Sequence, residues 1–269
     1  MRSGIAVASF LLIPLMRHPA LLAAILLVAA TQVALAREPG EPIRIVWKEG
    51  DVAGQSPIYG ANGGTPIGVV EYHQHLDGNE LETIRVARFT DGSSDEDTAV
   101  ARINKTLEGV RGRSIIRDTR GKTIVDVTID VAAGRIKGFY DDGGKRQDVD
   151  MHDTLDPATY WGPLIFIVAK NFDANVEDGR VRFKTVAPTP KPRVLTMELA
   201  DQGAKKWKRM GRSFGVESYV LRPTMGWVID PILHRLVPST EFLVEPGKPP
   251  SLARYTGPRN YAGQEIVLE

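Results

Sequence analysis

The sequence predicts a mainly β (α+β) fold: a large curved antiparallel sheet, or open half-barrel, with one main helix packed on its concave side. Three observations carry this. Apolar residues recur with period two through most of the chain, turn residues recur every 8–12 positions, and a single internal stretch shows helical spacing. In KTIVDVTIDVAAG, Thr123, Val125, Val127, Ile129 and Val131 share one face and Ile124, Asp126, Thr128 and Asp130 the other. That alternation marks a strand with one buried and one wet side.

The remaining strands have the same texture. IRIVWKEG opens the body of the chain. PIGVVEYHQHLDGNELETIRVARFTDG reads as two strands joined at Asp77-Gly78-Asn79, a strong hairpin signal. TAVARINKT and RSIIRDTRG are shorter candidates. RIKGFYDD, the DDGG turn at Asp141–Gly144 and KRQDVDM extend the Val125 strand into a meander. VRFKTVAPT, RVLTMELAD, KKWKRMGRSF, VESYVLRPT, EFLVEPG, SLARYTGP and QEIVLE follow, giving about a dozen strands. Short Pro-rich spots at Pro188–Pro192 and Pro246–Pro250 read as turns.

Leu155–Asn175 is the predicted helix. Asp156 offers a cap, Pro157 suits a first turn, and Leu164, Ile165, Val168 and Phe172 recur at helical spacing. Gly162-Pro163 should kink it or delay its start. Gly226–Pro238 is a second irregular segment with room for a helical turn after Pro231.

The first 36 residues read as an address. Arg17 and His18 precede the apolar run Ala20–Ala30, and Ala34-Leu35-Ala36 is a small-x-small site before Arg37. This is the order of a secretory signal peptide cut after Ala36. The run is shorter than the roughly 20 residues of a spanning helix. An earlier apolar stretch, Gly4–Leu15, leaves two starts open, Met1 or Met16, and a membrane-tethered form if both stretches insert together. With no cysteine there is neither a lipid attachment site nor a disulfide framework. The expected compartment is a bacterial periplasm. One antiparallel β domain, residues 37–269, is expected after cleavage. Of 34 basic residues, loss of Arg2 and Arg17 leaves 32 against 33 acidic ones. That balance argues against a nucleic-acid partner.

Chemistry-bearing motifs are few. His73-Gln74-His75 puts two imidazoles on one side of a strand with Glu71, and Glu80 lies across the hairpin. His73 and His75 are therefore the metal candidates, against a reading as a polar outer surface. Asp150, His152 and Asp153 read as a loop leading to the helix. Ser93-Ser94 in DGSSDED reads as a solvated turn. No Gly-x-Ser-x-Gly and no phosphate-binding loop occurs. The expectation is no catalytic residue and no cofactor. Trp161 and Trp227 open the two irregular segments, where they would flank a cavity between helix and sheet. Lys205, Lys206, Lys208, Arg209 and Arg212 surround Trp207. This run suits an anionic lipid or a partner, or else a charged edge that resists aggregation.

The stretches FTDGSSDEDTAVAR, VDVTIDVAAGRIKGFYDDGGK, VAPTPKPRVLTMEL and ILHRLVPSTEFLVEPGKPPSLARYTGP, in that order over Gly68–Glu269, resemble a family of uncharacterised secreted bacterial proteins. Such chains are similar in appearance to the LolA-like half-barrel of the lipoprotein-localisation carriers. The resemblance implies a curved sheet around a hydrophobic cavity lidded by helix, and no activity. The functional expectation is a non-enzymatic periplasmic protein binding a lipid or acyl chain. Val125, Val127, Ile129, Trp161, Ile165 and Trp227 are its candidate lining. The alternatives are an envelope assembly protein that engages a partner through a sheet edge, and a metal-dependent enzyme at His73 and His75.

Overall fold

Residues 40–176, 178–187, 192–224, 239–259 and 264–269 are described in the computed structural model. The predicted leader, the prolines at 188–191 and the segment carrying Trp227 lie outside them. Strands come first in the chain: β1 (Ile43–Arg44), β2 (Val52–Gly60), β3 (Gly68–Asp77), β4 (Glu80–Phe89), β5 (Ser94–Ile103), β6 (Thr106–Arg117), β7 (Thr123–Asp130), β8 (Arg135–Asp142) and β9 (Lys145–His152). Helix α1 (Leu164–Lys170) and a 3-10 turn (Phe172–Ala174) follow. Then come β10 (Arg180–Ala187), β11 (Arg193–Arg209), β12 (Arg212–Thr224), β13 (Thr240–Glu245), β14 (Ser251–Pro258) and β15 (Glu265–Leu268).

All fifteen form one antiparallel sheet, in the order β10 to β15, then β2 to β9, with β1 beside β6. The last strand joins an early one in it, since Leu268 of β15 pairs with Ile58 of β2. The sheet does not close between β9 and β10, the two strands that flank the helical segment. Local signals explain the hairpins. Asp77 pairs with Glu80 across Gly78, whose φ of 58° is a left-handed conformation that glycine adopts without strain. In β7, Val125, Val127 and Ile129 face inward and are buried, as the alternation predicts.

The helix is shorter than the pattern suggests. Leu155–Asn175 contains only α1 and the 3-10 turn as helix. Upstream, Tyr160 N donates to Lys184 O at 2.8 Å and Lys184 N to Ala158 O at 3.0 Å, so this stretch lies extended beside β10. Gly162, at φ 51°, and Pro163 then turn the chain, and the helix begins only after them. Asp156 still caps something: its Oδ1 accepts from Ala158 N at 3.0 Å in a local turn.

The helical segment closes over the inner face of the sheet. Trp161 is 2% exposed and its Nε1 donates to Thr98 O at 3.2 Å. Tyr160 Oη donates to Leu107 O at 2.6 Å and accepts from Ile43 N at 3.0 Å. This packing needs two glycines in β6. A Cβ at Gly109 would overlap Thr159 O, and one at Gly112 would overlap the Trp161 indole. At the far end of the helix, Asn171 Oδ1 accepts from Val46 N and Trp47 N, both at 2.9 Å, and Asn175 Oδ1 accepts from Arg44 N at 2.5 Å. The two amides, four residues apart, hold the first extended segment against the helix as a neighbouring strand would. Asn171→Ala strands those two amide donors. It is expected to cost about 2 kcal/mol, read as a lower urea midpoint at unchanged slope.

Candidate inner-face site

Three adjacent strands place a polar row on the concave face. Arg85 of β4 pairs in register with Asp97 of β5, which pairs with Ser114 of β6, and period two turns all three inward. Arg85 Nε and Nη2 donate to Asp97 Oδ2 at 3.1 and 2.5 Å, and Ser114 Oγ donates to Asp97 Oδ1 at 2.6 Å. One step along β5, Asp95 receives Arg259 Nε and Nη2, both at 3.2 Å. Arg259 Nη2 also donates to Ser93 Oγ at 2.8 Å, and its guanidinium lies 3.5 Å from the centre of the Phe89 ring.

The two carboxylates are almost out of water: Asp95 is 4% and Asp97 9% exposed. Burial raises the Asp95 pKa above its ordinary value, against the pull of Arg259. Burial alone would lower the Arg85 pKa. The Asp97 carboxylate, with Tyr255 and Asp95, outweighs it, and Arg85 is held above its ordinary value. Burial likewise raises the neighbouring Tyr255 phenol. Arg85 gives two of its nitrogens to Asp97, and its Nη1 makes no hydrogen bond to the described residues.

Two cavities meet at Arg85, Phe166 of α1 and Tyr255 of β14. The larger, about 370 Å³, lies between α1 and strands β2, β3 and β14, with Val70, Tyr72, Ile167 and Leu252 in its walls. The smaller, about 200 Å³, runs towards β10–β13 past Trp161, Met197 and Phe242. The larger falls within the usual range of small-molecule sites, roughly 300–1,000 Å³. The concave face is thus divided. Towards β5–β9 it is filled by side chains and by the segment carrying Trp161. Towards β2–β4 and β10–β14 it is open.

That division sorts the residues singled out from sequence. Val125, Val127 and Ile129 belong to the filled part, in the main hydrophobic cluster, and line neither cavity. Trp161 and Ile165 line the smaller cavity. Trp227 lies outside the described residues. His73 and His75 project from the opposite face of β3 to the buried Gln74 and are exposed. His75 Nδ1 lies 3.0 Å from Asp51, Glu71 pairs with Arg88 at 2.8 Å and Glu80 with Arg111 at 3.4 Å. Among the described residues no three metal-ligating side chains gather. The loop reading of Asp150, His152 and Asp153 is corrected: Asp150 and His152 lie in β9, paired across to Lys137 and Arg135, only Asp153 follows the strand, and Asp150 is held by Arg135 through two hydrogen bonds, of 2.8 and 2.6 Å.

A further expectation is overturned. DGSSDED is no solvated turn beyond its first residues: Ser93 is buried, its hydroxyl bonds Asp91, and Asp95 and Asp97 form the floor described above. The signal was present in the sequence. Ser93, Asp95, Asp97 and Ala99 alternate with period two into a strand whose other inward positions are apolar.

Fold and site together define an unclosed antiparallel half-barrel with a helix-lidded, charge-floored interior. The chain matches no family model and no curated protein. Among solved structures it is similar to a beta-barrel-like protein of the domain of unknown function DUF1849 from Brucella abortus. The TM-score is 0.47 at 9% identity, covering 83% of this chain and 97% of that one.

Proposed function

We propose that the protein is an exported, non-enzymatic binder of an amphiphilic small molecule, a lipid or free acyl chain. Its apolar part lies between α1 and the concave face, and its polar end meets Arg85. One observation carries this: a largely apolar cavity of about 370 Å³ whose lining includes the Arg85 guanidinium, one nitrogen of which bonds none of the described residues. The inner carboxylates support a binding role over a catalytic one, since Asp97 is engaged by Arg85 and Ser114 and Asp95 by Arg259. The leader pattern of residues 1–36 supports export.

Gentle ionisation mass spectrometry and solvent extraction of protein purified from cells are expected to find a bound amphiphile. After delipidation, palmitate is expected to raise the melting temperature, since a ligand that binds only the native state stabilises it. Gly54 faces the larger cavity, and a Cβ there meets nothing within 4 Å. Gly54→Trp should therefore place an indole in the ligand's space, weakening palmitate binding at least tenfold while the melting temperature of the free protein stays put. A lipid-free protein whose melting ignores every fatty acid and phospholipid offered would sink the reading.

A further inference from the structure

We propose that the tip of the β11–β12 hairpin docks on an anionic phospholipid surface. This surface is separate from the cavity and does not depend on what the cavity holds. β11 pairs with β10 only over Arg193–Ala200. Beyond a register shift between Asp201 and Ala204 it pairs with β12 alone, ending at Arg209 opposite Arg212. The last part of the hairpin is thus a two-stranded ribbon running past its neighbour.

Its charge differs from that of the sheet it leaves. On β4–β9, Arg85, Arg88, Arg102, Arg111, Arg113 and Arg117 each face a carboxylate within ion-pair distance. From Gln202 to Val216 the ribbon contains no Asp or Glu and five cations. Lys205 reaches Glu241 at 2.6 Å, and Arg209 lies over Trp207 at 5.9 Å. Lys206, Lys208 and Arg212 have no ion pair among the described residues and are exposed. The expectation of a charged outer edge does not account for the apex. There Met210, 92% exposed, takes φ 48° beside Gly211 at φ 74°. Turns of this kind favour Asn-Gly, and a long apolar side chain in the left-handed region is strained. A flexible apolar chain at the apex, flanked by cations on both faces of the ribbon, matches a surface that is anionic outside and apolar just beneath. Nucleic acid matches the cations and leaves Met210 without a role.

The test is co-sedimentation of the protein, purified as the cell produces it, with two kinds of vesicle: phosphatidylcholine alone, and phosphatidylcholine with one part in three phosphatidylglycerol. Binding to the anionic vesicles alone is expected, and molar salt should abolish it by screening. Neutralising Lys206, Lys208 and Arg212 to Gln should weaken binding roughly a hundredfold, since each basic residue near an anionic surface is worth about fivefold. Met210→Ser should weaken binding severalfold while keeping every charge. All four positions are exposed, so melting temperatures should match the parent. Equal binding to both vesicles, no binding to either, an unaffected triple variant, or capture of DNA in place of vesicles would each overturn the proposal.

Discussion

Asp97→Ala is expected to destabilise the protein by about 3–5 kcal/mol, the usual cost of stranding one member of a buried ion pair. The loss is large because Asp97 serves two neighbours at once, accepting from Arg85 on one strand and from Ser114 on the other. Removing it leaves a guanidinium without its counter-charge on the floor of both cavities. Arg85→Met with Asp97→Leu should recover much of that stability, because a well-packed apolar pair frequently matches the ionic one it replaces. The same double variant should lose affinity for palmitate, since it keeps the apolar walls and deletes the guanidinium. Urea melts and a palmitate titration on one set of proteins separate the two roles. Asp95 behaves differently. Its native pKa is raised, so its contribution is full below its unfolded value of about 3.9 and is lost as the pH rises through the native value. Asp126, lowered chiefly by its hydrogen bond from Arg113, works in the opposite sense: its contribution is present above the unfolded value and is lost as the pH falls through the native one.

The sheet was legible where one rule governed the outcome. Val125, Val127 and Ile129 announce a strand because their neighbours are polar, and Asp77-Gly78-Asn79 announces its hairpin because few sequences make that turn. The helix start was less legible. Asp156-Pro157 has the local chemistry of a helix N-terminus, yet backbone pairing of Ala158 and Tyr160 to Lys184 holds the residues that follow extended. The site was hardest to read. An acidic run such as DGSSDED ordinarily seeks water. What permits its burial is a guanidinium 164 residues away, Arg259 on Asp95, and no local window contains both. Val125, Val127 and Ile129 show the converse. Alternation identifies an inward face, but whether that face borders a cavity depends on Trp161, which is delivered from another part of the chain and covers β6 beside them.

Gly112→Ala is the sharpest test of that covering. A methyl group there must displace the Trp161 indole, and the indole has little freedom: it is 2% exposed and tied to Thr98 O. A cost of about 3 kcal/mol is expected, at the upper end of ordinary overpacking. Trp161→Ala should cost about 3–5 kcal/mol through the cavity it opens. The two effects should not add. Once the indole is gone, the new methyl has room and fills part of the void, so the double variant should be no less stable than Trp161→Ala alone. Urea midpoints for the four proteins give the coupling directly. Additive losses would mean that Gly112 is required for the course of its own strand and not for the approach of the helical segment. The smaller cavity, walled by Trp161, would then depend on something other than this contact.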